Sequence, residues 1–386
     1  MKIPLVRDPI PNSHIDELIK WLGEYPFLSQ GKLVEQFENE FAKWQGKKYA
    51  VMVNSGSSAV MAMAYFYRLQ ELKNNRVILP ALSWSTSIAP WIQFGFSPYL
   101  VDCNKENLGP KLEHLEHLFK TLNPAILMTV NVLGFPCDYK EIVELCEKYD
   151  VKLIVDDCED SGSEYNFTHA GNYGEIVCKS FFASHLLCTV EGGMCLTDDE
   201  YTCNMLKMIR EHGWDRRVKS EFSNYLKKEF LINEFNENFT FYVPGFNIRS
   251  TEINAFLGLK AMKTLPYDVA SRKIIFENYQ EKIVNDHWKP SPKGDFISCF
   301  AYPIITSTPE KRMQLVKILK EKEIDCRPLI AGNIANHPMW VNYGSGEVVL
   351  PNADKVHECG LYIPAYSSLT VMEQDYICDS VNEGLK

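Results

Sequence analysis

Tyr49-Ala50-Val51-Met52-Val53-Asn54-Ser55-Gly56-Ser57-Ser58-Ala59-Val60-Met61-Ala62-Met63-Ala64 passes from a short apolar strand, through a Ser/Gly turn, into a helix. A strand that is apolar along its length is suited to burial on both faces, as in a parallel sheet with helices above and below. Further strand-like runs follow at 77–79, 99–101, 125–131, 152–155 and 175–180, with helical stretches such as Tyr139–Tyr149 between several of them. Upstream, Leu33, Val34, Phe37, Phe41 and Trp44 recur at helical spacing, and Gly46 stops that helix. The alternation predicts an α/β unit built on a mostly parallel sheet, assigned to a large domain over 1–245.

Beyond about residue 245 the pattern changes. Helices are expected over Glu252–Met262, Ser271–Ile283 and Lys311–Lys322, with strands at Cys299–Ile305 and 324–327, which reads as a smaller α+β domain over 246–386. Lys219–Phe241, polar and aromatic without clear period, is expected to be a long loop or flap.

Composition narrows the function classes. The 386 residues are 46% hydrophobic and 23% charged, with a formal charge of -10, a balance that disfavours nucleic acid as a partner. Apolar runs stay shorter than a membrane span, and the N-terminus lacks a signal-peptide core, so a cytoplasmic protein is expected. Twelve cysteines, none paired as C-x-C or C-x-x-C, read as reduced thiols in the core, and no metal site is expected. A GxGxxG fingerprint is missing. Gly46-Lys47-Lys48 lacks the rest of a P-loop.

Several short segments carry candidate chemistry. Ser55-Gly56-Ser57-Ser58, between a strand and a helix N-terminus, offers N–H groups, a helix dipole and hydroxyls to a phosphate, although many ordinary turns share this composition. Asp156-Asp157-Cys158-Glu159 follows a buried strand, where α/β proteins bind ligands; an Asp capping the next helix is the plainer alternative. Trp84 could stack on a flat ring or fill the core. His185, after Ser180-Phe181-Phe182-Ala183-Ser184, could be structural or catalytic.

Read together and in order, these motifs resemble the vitamin B6-dependent sugar aminotransferase family of fold type I (the DegT/DnrJ/EryC1/StrS type), and more narrowly its 3-dehydratase branch. The resemblance runs from about residue 25 to the C-terminus. Besides the segments above, it is carried by Pro80-Ala81-Leu82-Ser83-Trp84-Ser85-Thr86, Glu191-Gly192-Gly193, His212-Gly213-Trp214 and Pro244-Gly245-Phe246-Asn247-Ile248-Arg249. It implies the aspartate aminotransferase-like fold, with a mixed, mostly parallel sheet. In the family, a lysine six residues before the Glu of Glu-Gly-Gly bonds covalently to pyridoxal phosphate. Here that position is His185, and no lysine occurs between Lys179 and Lys207.

The resemblance also implies roles. Asp156 would pair with the pyridine nitrogen, Trp84 stack on the ring, and Gly56, Ser57 and Ser180 bind the phosphate. Asn247 would reach that phosphate from the second subunit of a homodimer, and Glu159 would contact the ring hydroxyl. His185, unable to form a Schiff base, would act as general base, so that pyridoxal or pyridoxamine phosphate is held non-covalently. Ser184, His212, Arg249 and Arg327 are the candidates for substrate contact, the two arginines for a diphosphate or for the carboxylate of L-glutamate. Arg216, Arg217, Lys219, Lys227 and Lys228 could also neutralise a diphosphate, against the plainer reading of a solvated charged face. The implied reaction removes the C3 hydroxyl of a nucleotide-linked 4-keto-6-deoxyhexose, with the GDP-linked manno sugar favoured, and releases ammonia. A nucleotide-sugar aminotransferase acting on a CDP- or dTDP-linked sugar, and a catalytically silent relative, are the competing readings.

Overall fold

The computed structural model describes residues 2–160, 162–284, 287–346 and 348–386; Met1, where the expected large domain begins, lies outside them. The described residues form a seven-stranded sheet from β1 (Tyr49–Val53), β2 (Arg76–Pro80), β3 (Ser97–Val101), β4 (Ile126–Val130), β5 (Lys152–Asp156), β6 (Ile176–Ser180) and β7 (Gly193–Thr197). Their order across the sheet is β1-β7-β6-β5-β4-β2-β3. Neighbours from β6 to β3 run parallel, and β7 lies antiparallel to both β1 and β6. The sheet is therefore mixed and mostly parallel. Its strands are apolar and buried on both faces because helices cover both sides.

Local chemistry sets the element ends. The helix Lys32–Gln45 stops at Gly46, whose φ of 81° is the left-handed geometry of a helix C-cap. The helix after β1 starts at Gly56 rather than Ala59, because the Ser55 hydroxyl accepts the Ser58 N–H at 3.0 Å and caps it there. Residues 219–241 depart from the expected loop: Ser220–Glu229 is a helix. Leu226 is its one buried side chain, so no apolar stripe announced it. Leu265–Lys282 likewise begins before the expected Ser271, with Pro266 in its first turn.

A second, antiparallel sheet comprises Ala301–Thr306 beside Gly360–Pro364, flanked by His287–Trp288 and Arg327–Pro328. The strand expected over 324–327 divides. Arg327 joins this sheet, whereas Ile324 pairs with Ile3. Asp102, just past β3, accepts the N–H groups of Asn352 and Ala353 at 3.2 and 2.9 Å, capping the helix Pro351–Cys359. Among the described residues no helix is long and apolar enough to cross a membrane.

Glu252 forms a comparable clamp. Its carboxylate accepts the N–H groups of Gly31, Leu33 and Val34 at 2.9–3.0 Å, ahead of and within the first turn of the helix Lys32–Gln45. Replacing Glu252 with Ala should destabilise the protein by about 2 kcal/mol, in line with losing hydrogen bonds to a charged group. Hydrogen exchange at Leu33 and Val34 should accelerate before the rest of the helix; unchanged exchange there would show the clamp to be dispensable.

Candidate active site

A cavity of about 630 Å³ opens at the C-terminal ends of the parallel strands, where open α/β sheets bind ligands. The second sheet supplies its opposite wall through Phe300, Arg327 and Tyr362. Two helices aim their N-termini into it. Gly56–Arg68 follows β1, Ser85–Gln93 follows β2, and the hydroxyls of Ser57 and Thr86 meet at 2.9 Å between them. First-turn N–H groups have no partner within their own helix, so paired N-termini favour an anion. Gly56 is required here by contact: a Cβ on it would lie 2.5 Å from the Ser180 Cβ and 3.0 Å from the Cys158 sulfur.

Asp156 ends β5 and is buried in the cavity wall. Its carboxylate accepts the Ser87 hydroxyl at 2.6 Å and the Cys158 N–H at 3.2 Å, so the helix-capping alternative does not hold. Glu159, partly buried, accepts the Leu133 N–H at 2.9 Å. Burial pushes its carboxyl up to about 7, with Asp156 adding repulsion against the Leu133 bond, so near neutrality much of it is protonated and can donate a hydrogen bond. Trp84 is 57% exposed and lines the cavity, which rules out the core-filling alternative.

His185 stands in the same cavity, between Phe182 and Phe300, each ring edge-on to it with centroids 6.1 and 5.4 Å away. Burial lowers its imidazole to about 4, and the buried Arg272 guanidinium adds to this. His185 is consequently neutral above that pH, with a lone pair free to take a proton. Lys179 is turned away. Side chains alternate along a strand, so Ser180 faces the cavity and Lys179 the opposite side of the sheet. There its ammonium lies 2.7 Å from Asp157 and 2.8 Å from Asp160, all three buried.

Residues 10–382 match the pattern of the DegT/DnrJ/EryC1/StrS aminotransferase family. The chain belongs to this family. It is 33% identical to the GDP-4-keto-6-deoxy-D-mannose 3-dehydratase of Yersinia pseudotuberculosis, over 94% of this chain and 95% of that protein. The Escherichia coli GDP-4-keto-6-deoxy-D-mannose 3-dehydratase, solved with hydrated pyridoxal phosphate, superimposes with a TM-score of 0.89 at 30% identity, covering 100% of both chains. A GDP-4-keto-6-deoxymannose 3-dehydratase holding a trapped pyridoxal phosphate–glutamate geminal diamine gives 0.88 at 30% identity, again covering 100% of both. The fold is thus that of the pyridoxal-phosphate-dependent aminotransferases, as the motifs implied.

Of the family positions, Gly56, Ser57, Trp84, Asp156, Glu159, Ser180, Ser184, His185 and Arg327 line one cavity. Asn247, His212 and Arg249 do not line it. Arg249 donates to the Asn247 side-chain oxygen at 3.0 Å and to Glu211 at 3.1 Å, and the His212 ring packs on Trp214. Most of the basic residues near 219–241 have partners of their own. Arg217 pairs with Glu211, Lys219 with Glu200 and Lys227 with Glu237, while Arg216 lies over Trp214 and donates to the Asn238 carbonyl. The sequence reading quoted Thr86 within a motif but gave it no role, and it missed Ser87, Phe300 and Tyr362. Ser87 directly follows the Pro80–Thr86 motif, but the two aromatics carry no local signal.

The depressed His185 value sets a pH dependence. An unfolded His takes up its proton near 6.5, before the folded imidazole near 4, so stability from this group is complete above about pH 6.5 and declines as pH falls towards 4. In urea titrations of the cofactor-free protein, His185→Asn should lose less stability than wild type across that window. Parallel curves would show that His185 is not held neutral by the fold.

Proposed function

We propose that this chain is a pyridoxal-phosphate-dependent lyase, a nucleotide-sugar 3-dehydratase. It removes the C3 hydroxyl of GDP-4-keto-6-deoxy-D-mannose on the way to a 3,6-dideoxy sugar. Glutamate supplies the amino group and leaves as 2-oxoglutarate; the nitrogen is released as ammonia. The observation that carries this reading is His185 at the cavity position where the family's transaminating members hold lysine, with Lys179 locked behind the sheet by Asp157 and Asp160.

The cavity fits the cofactor. The wall at Gly56, between two helix N-termini, suits its phosphate, with Ser57 and Ser180 beside it. Asp156 would pair with the pyridine nitrogen, Trp84 would cover a ring face, and Glu159 would donate to the ring hydroxyl. When bound, pyridoxamine phosphate supplies the amine that condenses with the sugar ketone and the ring that draws off electrons.

His185 performs the proton transfers. Its imidazole is in the unprotonated form that a base needs at neutral pH, and general base catalysis contributes typically 10²–10⁴-fold. It cannot recapture the cofactor covalently, which leaves hydrolysis as the exit. Ser184 and Arg327 contact substrate from the cavity wall, and Arg327 is placed to pair with the glutamate carboxylate. Asn247, His212 and Arg249 act across the interface of a homodimer, where Asn247 completes the phosphate site of the second copy. The division into a large domain over 1–245 and a small one over 246–386, and a cytoplasmic setting, belong to the same reading.

Purified protein given pyridoxal phosphate, glutamate and GDP-4-keto-6-deoxy-D-mannose should release ammonia and a 3-deoxy sugar. His185→Asn should slow this at least 10²-fold, the lower end of general base catalysis. His185→Lys should lose dehydration while holding the cofactor covalently, visible in its absorption. An amino sugar in place of ammonia would make the wild type a transaminase and overturn the proposal.

A further inference from the structure

Ser87 lies in the first turn of the helix Ser85–Gln93, buried, with its hydroxyl 2.6 Å from Asp156 Oδ2. That length is typical of a charge-assisted bond from a hydroxyl to a carboxylate. The Cys158 N–H takes the other oxygen, Oδ1, at 3.2 Å, so donors hold the carboxylate at both ends. The Ser87 N–H in turn donates to the Trp84 carbonyl at 3.0 Å. One helical turn thus connects Trp84, the Thr86 hydroxyl that meets Ser57, and the hydroxyl on Asp156.

We propose that Ser87 is a positioning residue whose hydroxyl orients the Asp156 carboxylate so that it stands opposite the pyridine nitrogen of the cofactor. This rests on the cofactor reading above. Physically, losing the donor from a buried carboxylate leaves an oxygen without a partner. Asp156 would then be freer to turn, and its hold on the pyridinium N–H would loosen through lost orientation. Thr86 and Trp84 would be untouched, because they bear on the phosphate side and the ring face.

The test compares equilibrium binding of two ligands to the cofactor-free protein: pyridoxal phosphate, and its 1-deaza analogue in which carbon replaces the ring nitrogen. Wild type should prefer pyridoxal phosphate. Ser87→Val should shrink that preference about tenfold, the scale of one hydrogen bond to a charged group, with little change for the analogue. Ser87→Thr, of the same size as Val but retaining the hydroxyl, should keep the preference. Ser87→Ala serves in the same assay should the Val variant fail to fold.

Equal weakening of both ligands by Val and Thr would make Ser87 a packing residue and overturn the inference. So would an unchanged preference in the Val and Ala variants. A wild type that binds both ligands equally would overturn the pairing of Asp156 with the nitrogen. One that binds neither overturns the proposed function and this inference together, an outcome distinct from the others.

Discussion

The ion cluster of Lys179 with Asp157 and Asp160 decides what the cavity can be. A buried ammonium is tolerable only when paired, and here two carboxylates flank it within 2.8 Å. Asn131 donates to Asp157 at 2.6 Å and takes the Tyr139 hydroxyl at 2.8 Å, while the Ser163 N–H satisfies Asp160 at 2.9 Å. Moving Lys179 into the cavity would leave two carboxylates buried with half their partners gone. The cluster also ties β6 to the turn after β5, the strand that ends in Asp156. The same constraint that removes the amine therefore sets the wall on which the carboxylate stands.

Among the described residues no lysine lines the cavity, and burial holds down the charge of two groups that do. His185 is kept neutral from above by burial and by Arg272, and Glu159 is drawn towards its acid form by burial. Arg272 also donates to the carbonyls of Phe300 and Ala365 at 2.9 and 3.0 Å, which fixes Phe300 against the His185 ring. A base and a hydrogen-bond donor are thus held by the fold itself, before any ligand arrives. The anionic demand is concentrated on Asp156, which has two donors to support it.

How much of this was legible in the sequence depended on distance along the chain. β1, the turn at Ser55–Ser58 and the helix after it are local, so their pattern gave the elements and marked the turn as a candidate phosphate cradle. His185 was legible through its spacing from Glu191, whereas the pairing of Lys179 with Asp157 and Asp160 behind the sheet came only with the structure. Phe300 and Tyr362 reach the cavity, and Arg272 packs behind Phe300, from more than 80 residues beyond His185, and nothing local distinguishes them from other side chains. The helix Ser220–Glu229 escaped for the opposite reason: with one buried residue, it has almost no apolar face to read.

Because the cavity has walls from both sheets, its geometry depends on their being held in register. Asp102, just past β3, links the two by capping the helix Pro351–Cys359 that packs on the second sheet, while Glu252 clamps the helix Lys32–Gln45 and Ile3 pairs its backbone with Glu323 and Asp325 at 2.8 and 2.9 Å. In the first two, carboxylates serve backbone N–H groups rather than side-chain cations, bonds that are short, directional and insensitive to salt compared with surface ion pairs. Such clamps suit a cavity in which His185 and the Phe300 ring that packs edge-on to it come from opposite walls. A shift of one wall would separate them even with every residue present.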